Sequence, residues 1–259
     1  NIFCFAMGQE FLVKSKKMKN IQSSIDRLKK IIPITNYTKQ LLKKSWIVQN
    51  SKINVINPTF SLPTRVQRDH SLKKNSEIKL LSLCRIEKRK GLMQIATALS
   101  NLKEVLPKFV WHICGDGPFR GYLEEFITNS TIKSHVRFEG SISEEKKAHF
   151  LQSSDLFVMP SYKLDRSVEG FGISYIEAAQ FGLPSIAGND GGVSEAVIDN
   201  YTGWCVNTKD QNKLEEILYK AMRNKPLLIK YGKNALKEFN QNFTSEKAFE
   251  NLIKVIDNK

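Results

Sequence analysis

The 259-residue sequence lacks any run of about 18 consecutive apolar residues, which is the length that a membrane-spanning helix needs. The apolar opening at residues 1–7 is too short and has no basic flank, so we do not expect it to be a signal peptide. Both absences favour a cytoplasmic protein. The first residue is Asn1 rather than Met, so we expect a chain whose start was removed or that was cut from a longer one.

Cysteine and histidine are scarce, with four of each, and neither residue type forms a cluster. No CxxC pair occurs, and each cysteine lies in an apolar run. This pattern predicts buried, reduced thiols at Cys4, Cys84, Cys114 and Cys205. Because the histidines are scattered along the chain, we predict that the protein holds no metal.

Acidic residues are scarce in the N-terminal third of the chain. Residues 1–90 contain 20 Lys and Arg against 5 Asp and Glu, whereas residues 91–259 contain 20 against 21. Such a surplus is typical of contact with nucleic acid, an anionic membrane or a phosphorylated substrate, and it also occurs on a merely solvated surface. The basic stretches lack interleaved aromatic residues and a recognisable binding module, which argues against nucleic acid.

From about residue 77, short apolar runs alternate with longer amphipathic ones in units of roughly 25 residues. The runs predict strands over 77–84, 109–114, 135–138, 156–159, 184–187 and 203–206. The predicted helices cover 91–106, 118–128, 144–151, 172–181, 212–223, 226–239 and 245–256, with Lys146 and Lys147 facing water. Alternation of this kind predicts the α/β class, a Rossmann-like parallel sheet with helices on both faces. Ligands of such sheets bind beyond the carboxyl ends of the strands.

The first 60 residues show a weaker pattern. They predict strands over 2–6 and 52–57 and helices near 20–30 and 38–46, too few elements to close a hydrophobic core. Two prolines and a polar stretch then predict a linker over 61–76. The first segment therefore reads as an incomplete Rossmann-like domain.

The most informative stretch runs from Glu169 to Ile186 and opens a predicted helix at about Gly172. Free N–H groups at a helix start favour an anion such as a diphosphate, and glycine lets the backbone approach it closely. Glu177, in the second turn of this helix, can accept hydrogen bonds from both hydroxyls of a ribose. The alternative is structural: Glu169 would cap the helix and Glu177 would be solvated.

A second group of charged residues follows the first strand of the predicted sheet. Arg85 and Lys90 lie between this strand and its helix, where a pair of cations can hold a diphosphate and stabilise a departing nucleotide. Lys88 and Arg89 are expected to be plain surface charge. A glycine-rich turn begins at Gly115 after the next strand, but such turns are common and the signal is weak.

Together these pieces resemble a known family. In order, they are Arg85 with Lys90, Gly115-Asp116-Gly117-Pro118, Val136-Arg137-Phe138-Glu139-Gly140, Glu169-x7-Glu177 with Gly182-Leu183-Pro184, and Gly191-Gly192-Val193-Ser194-Glu195. The set resembles the donor domain of the retaining glycosyltransferases of sugar-transferase family 4 (group 1), which have two Rossmann-like domains around a cleft, the GT-B fold. On this resemblance, 77–243 is the nucleotide-sugar-binding domain and 244–259 is a helix that packs back toward the N-terminal domain.

The resemblance also implies roles for individual residues. Arg85 and Lys90 would bind the donor diphosphate, Glu177 the ribose hydroxyls, and Glu169 the donor sugar. The further donor-binding positions would be Gly115, the main chain of Arg137 and Phe138 at the base, and Phe171, Gly172 and Ile173 near sugar and phosphate. The catalytic set would be Glu169, Arg85 and Lys90. The donor would be a UDP-, GDP- or ADP-linked sugar, transferred with retention to an unknown sugar or lipid-linked acceptor, with no metal or other cofactor.

The first 60 residues resemble the end of the family's acceptor-side domain. Met7 stands where the family usually has a histidine that faces the donor sugar. Most of the acceptor pocket is missing from this chain, so we expect it to bind donor better than it transfers sugar. The resemblance implies a role in cell-surface polysaccharide, lipopolysaccharide or glycolipid synthesis, with the basic N-terminal third at the inner face of the plasma membrane.

Three other interpretations remain open. A nucleotide-sugar epimerase can share this fold, although the Glu169-x7-Glu177 spacing favours a transferase. A dehydrogenase is disfavoured because the glycine turn at Gly115 is one residue longer than the dinucleotide fingerprint. A basic nucleic-acid-binding protein is the non-enzymatic alternative.

Overall fold

A six-stranded parallel sheet forms the centre of the protein. The structure, a computed structural model, describes residues 2–7, 21–60 and 77–257. The strands are β3 (Ile78–Leu83), β4 (Phe109–Cys114), β5 (Val136–Gly140), β6 (Leu156–Met159), β7 (Ser185–Gly188) and β8 (Gly203–Val206). Their order across the sheet is β5-β4-β3-β6-β7-β8. This is the doubly wound order, whose direction reverses between β3 and β6.

Helices cover both faces of this sheet, and they confirm the α/β class that the sequence predicts. They are α3 (Leu92–Leu102), α4 (Arg120–Thr128), α5 (Glu144–Ser153), α6 (Ile173–Gln180), α7 (Gln211–Arg223), α8 (Lys225–Asn242) and α9 (Ser245–Asp257). Successive strand residues point to opposite faces, so Leu80 packs into one buried cluster and Leu81 into the other. The cluster with Leu80 receives α3, α4 and α7, and that with Leu81 receives α6.

The first segment forms a smaller unit beside the sheet. Its elements are β1 (Phe3–Ala6), α1 (Ile21–Arg27), β2 (Lys30–Pro33) and α2 (Asn36–Ser45), and the two strands pair in parallel. Ile32 of β2 packs with Ile56 and with Val255 of α9, so the last helix contacts the first segment.

The structure departs from the predictions mainly in this first segment. The sequence did not predict strand β2, because its four residues end in Pro33 and follow directly on a helical pattern. The strand predicted over 52–57 is wrong: a 3-10 turn at Asn50–Lys52 is followed by a single bridge between Ile53 and Ile31. Cys4 is exposed rather than buried. The predicted linker over 61–76 lies outside the described residues.

Ser82 joins three strands at the centre of the sheet. Its hydroxyl donates to the carbonyl of Val158 at 2.5 Å and accepts from the indole N–H of Trp111 at 2.9 Å. We expect Ser82→Ala to lower the free energy of unfolding by about 1–3 kcal/mol, because the buried indole N–H loses its partner. Urea denaturation of this variant, with the exposed-site variant Ser141→Ala as control, measures the loss. Equal stability of the two variants would contradict the role of Ser82.

Candidate functional site

The candidate site lies at the carboxyl edge of the sheet, where the strand order reverses. The loop after β3 and the loop after β6 meet there. A Cβ added to Gly91, whose φ is +76°, would lie 2.2 Å from the carbonyl oxygen of Pro160. The amide of Tyr162 donates to the carbonyl of Arg89 at 2.9 Å. Such a crevice is where open α/β sheets bind their ligands.

One carboxylate links the two loops. Glu169 Oε2 lies 2.5 Å from the Lys90 Nζ and 3.1 Å from the Arg89 NH1. Arg89 also lies 3.1 Å from Glu87 Oε2 through its Nε. Two cations and two carboxylates thus form a compact, nearly neutral cluster at the loop junction.

Arg89 overturns an expectation drawn from the sequence. It was predicted to be plain surface charge, but it is only 8% exposed and pairs with acids from both loops. The sequence carried no signal for this, because Arg89 stands in a run of charged residues and its partner Glu169 lies 80 positions away.

The cluster shifts the pKa of Glu169. Burial alone would raise this pKa, but the nearby charges and hydrogen bonds of Lys90 and Arg89 outweigh burial and hold it below its ordinary value. Glu169 therefore carries its negative charge at neutral pH, and an incoming anion would compete with it for the same cations.

A cavity of about 570 Å³ opens beside this cluster. It is lined by Met7, Ile34, Pro58, Lys90, Glu169, Gly170, Phe171, Gly172, Ile173 and Ser174. The start of α6 forms one wall, and Gly172 precedes this helix with a φ of +93°, which favours glycine. Cation, acid and helix start therefore face one space of the size that small-molecule ligands occupy.

The first segment closes the opposite side of the cavity. The Thr35 hydroxyl donates to the carbonyl of Gly170 at 3.1 Å. Glu195 accepts from the amides of Asn36 and Tyr37, at 3.0 and 3.2 Å, and so caps the start of α2. These contacts hold the first segment against the two glycine-containing loops, around residues 170 and 192.

Glu177 lies on α6 but does not line this cavity. It is 7% exposed, and its Oε1 accepts a hydrogen bond from the Lys147 Nζ at 2.8 Å. The sequence predicted that Lys147 faces water, and this is wrong: its side chain is 12% exposed and lies against acids. The exposed Lys146 does face water.

Of the remaining predicted residues, Arg85 and Gly115 follow β3 and β4 at the same sheet edge, whereas Arg137 and Phe138 lie within β5. The Arg85 side chain is 70% exposed and lies 3.5 Å from Glu87 Oε1, so it borders the cluster on the solvent side through Glu87, whereas the ion-pair partners of Glu169 are Lys90 and Arg89. Gly115 has a φ of +128° and packs on the carbonyl of Cys84. Arg137 donates to the carbonyl of Ser134, which precedes β5, so the Arg137 side chain is directed toward the amino end of the strand and not toward this edge. The Cζ atom of the Arg120 guanidinium lies over the Phe138 ring, 5.7 Å from the ring centroid.

The structure thus brings together Lys90, Glu169 and the Phe171–Ile173 segment, with Glu177 one helical turn further along. Among the described residues, no three His, Cys, Asp or Glu side chains are grouped so that they could hold a metal ion. A larger hollow of about 1080 Å³ lies between α3 and α4, away from the paired charges. None of the helices described is long and apolar enough to span a bilayer.

The lowered pKa of Glu169 predicts how stability depends on pH. Its ionised form is stabilised by folding, so this contribution is fully present above the ordinary pKa of 4.5 and is lost as the pH falls through the lower folded value. We expect the stability difference between the wild type and Glu169→Gln to shrink below about pH 4.5. Thermal unfolding from pH 7 to pH 3 measures this, with Glu104→Gln as the control for losing one exposed carboxylate. A difference that stays constant over this range would refute it.

Comparison with known proteins identifies the family of this chain. The model of the family described as glycosyl transferases group 1 matches residues 64–238, which is more than half of the chain. A GDP-mannose-dependent alpha-(1-6)-phosphatidylinositol monomannoside mannosyltransferase of Mycolicibacterium smegmatis is 35% identical over 134 residues, covering 51% of this chain and 35% of that protein. The amylovoran biosynthesis glycosyltransferase AmsK of Erwinia amylovora is 25% identical over 185 residues, covering 70% and 44%. The matched region therefore spans less than half the length of these relatives.

Solved structures share the fold over nearly the whole chain. Anabaena Alr3699/HepE in complex with UDP and glucose superposes with a TM-score of 0.79 at 17% identity, covering 99% of this chain and 71% of that one. WaaG, a glycosyltransferase involved in lipopolysaccharide biosynthesis, superposes with a TM-score of 0.72 at 19% identity, covering 99% and 75%. The fold is that of GT-B glycosyltransferases, as the resemblance implied. With the family model matching most of the sheet domain, this chain belongs to the group 1 glycosyl transferases.

Proposed function

We propose that this chain binds a nucleotide-diphosphate sugar and that the protein transfers the sugar to an acceptor hydroxyl with retention of anomeric configuration. The observation that carries the proposal is the cavity where Lys90, Glu169 and the start of α6 converge. A diphosphate would take the place of Glu169 as the partner of Lys90 and accept hydrogen bonds from the free amides of the helix start. Arg89 would remain as the counter-ion of Glu169.

The same geometry supports a chemical role for the cations. When the bond between the anomeric carbon and the phosphate oxygen breaks, negative charge develops on the departing diphosphate. Lys90 lies at the cavity wall, and the exposed Arg85 follows the same strand, so both would stabilise that charge. We propose that these side chains replace a divalent metal. Glu169 would contact the sugar, as the resemblance implies.

The names of related proteins support a nucleotide-linked hexose as donor. The mannosyltransferase of Mycolicibacterium smegmatis is GDP-mannose-dependent, and a structure of Alr3699/HepE holds UDP-glucose. The donor of this chain would be of this class, UDP-, GDP- or ADP-linked. We propose that the product is a cell-surface polysaccharide, lipopolysaccharide or glycolipid.

A nucleotide titration tests the proposal. We expect calorimetry to detect binding of at least one of UDP, GDP and ADP, and Lys90→Met to weaken it by about 1.5–3 kcal/mol, because a charged hydrogen bond to the diphosphate is lost. The parent nucleoside should lose much less. Lys88→Met is the matched control, since it removes an exposed charge two positions away. No binding of any of the three, or equal losses for diphosphate and nucleoside, would refute the proposal.

We also propose that the first segment contacts an anionic membrane surface, where lipid-linked acceptors reside. At the end of α2, Lys43 and Lys44 are exposed, and Ile47 beyond them is 86% exposed. An apolar tip flanked by lysines suits the interface between anionic headgroups and acyl chains.

Vesicle sedimentation tests the membrane contact. We expect the protein to bind vesicles that contain phosphatidylserine more tightly than neutral ones, and Lys44→Glu to weaken that binding about fivefold, since a basic side chain at the surface is worth about 1 kcal/mol. Lys233→Glu on α8 changes the charge equally at a distant exposed site. The same binding to neutral and anionic vesicles would dismiss the contact.

A further inference from the structure

Glu177 is a charged residue within a buried stretch of α6. Its neighbours Tyr175, Ile176, Ala178 and Ala179 all lie in the hydrophobic core. An ionised carboxylate in such a place is costly unless it is paired and hydrogen-bonded. The partner of Glu177 therefore decides where its oxygens lie.

That partner comes from another helix. The Lys147 Nζ on α5 lies 2.8 Å from Glu177 Oε1 and 2.7 Å from Glu144 Oε2. Lys147 thus spans an exposed acid at the start of its own helix and the buried acid of α6. Two directed contacts leave the ammonium group little freedom, so the Glu177 carboxylate is held in one orientation.

The aromatic ring of Phe60 packs against the Lys147 ammonium group. Its ring centroid lies 4.6 Å from the Lys147 Nζ, within the range of a cation–π contact. Phe60 lies two residues after Pro58, which lines the cavity. The end of the first segment therefore passes over the Lys147–Glu177 ion pair. Burial alone would lower the pKa of Lys147, but hydrogen bonds to Glu144 and Glu177 outweigh it and raise this pKa. Lys147 is therefore charged at neutral pH.

We infer that Lys147 is a positioning residue: it fixes the Glu177 carboxylate so that this acid recognises the hydroxyl pair of a ribose. The inference rests on the proposed function, and on the contact with the ribose hydroxyls that the family resemblance implies for Glu177. Lys147 need not touch the nucleotide, because its effect passes through Glu177. Loss of Lys147 should therefore reduce the preference for ribose over 2′-deoxyribose, rather than weaken every ligand equally.

The experiment compares ribonucleoside and 2′-deoxyribonucleoside diphosphates by calorimetry, using the base that binds best. We expect Lys147→Met to weaken the ribonucleotide about tenfold and the 2′-deoxy form less than about threefold, since the hydrogen bond from the 2′-hydroxyl to the Glu177 carboxylate exists only in the first. Lys146→Met, which removes an exposed charge from the adjacent position, should leave both affinities unchanged. Lys147→Arg should restore most of the preference, because it keeps a cation within reach of Glu177.

Lys147→Met leaves a buried carboxylate unpaired, so a loss of affinity through misfolding must be distinguished from a loss of positioning. A double-mutant cycle with Glu177→Gln makes this distinction. Circular dichroism and thermal melting check each variant. In a Glu177→Gln background a neutral amide replaces that carboxylate, and there the preference should already be lost. Adding Lys147→Met to Glu177→Gln should then change neither affinity further, because the two residues act as one unit.

The outcomes separate the two proposals. If the wild type binds no nucleoside diphosphate, the proposed function fails and this inference fails with it. If the wild type binds but folded Lys147→Met keeps the wild-type preference for ribose, only the inference is overturned. A loss from Lys147→Met that is as large in the Glu177→Gln background would also overturn it, since Lys147 would then act on the ligand directly.

Discussion

The pairing of Glu169 with Lys90 and Arg89 joins the two loops between which the sheet reverses its order. Lys90 and Arg89 follow β3, and Glu169 follows β6, so the ion pairs cross the topological switch point. Because the carboxylate is largely buried, it needs both cations to stay ionised. The pairing both stabilises the loop junction and keeps a cation at the cavity wall, where an anionic ligand would displace the acid.

The first segment depends on this arrangement. Its helix α2 begins against the loops around Gly170 and Gly192, where the Glu195 carboxylate accepts hydrogen bonds from the first two amides of α2. A Cβ at Gly192 would lie 2.0 Å from the carbonyl oxygen of Gly170, so the loops themselves pack backbone to backbone. Contacts this close need glycine. They hold the Gly170 loop, which lines the cavity and leads into α6, in one position. The helix α9 then returns to the first segment, where Val255 packs with Ile32 and Ile56.

The motif predicted the position of some charged residues and missed others, as Lys90, Arg89 and Lys147 show. The motif put Lys90 and Glu169 in loops that follow strands, and the structure pairs the two side chains at the edge of the sheet. The motif missed Arg89 and Lys147, which looked like ordinary surface charge in polar stretches of helix and loop. Both are largely shielded from solvent, and the sequence carried no sign of it because their partners, Glu169 and Glu177, lie 80 and 30 positions away. Arg85, one of the motif's cations, instead has an exposed side chain paired with Glu87 in this structure.

The sequence by itself determined the sheet domain, because apolar runs and helical spacing are local properties of the chain and recur regularly from about residue 77. The strands β6 and β8 lie where those runs predicted them, and the order of the motifs identified the family. Only the tertiary structure decided which charged side chains are buried. Pairing depends on the distance between elements far apart in the chain, and the same lysine is solvated or buried according to which acid the fold brings to it.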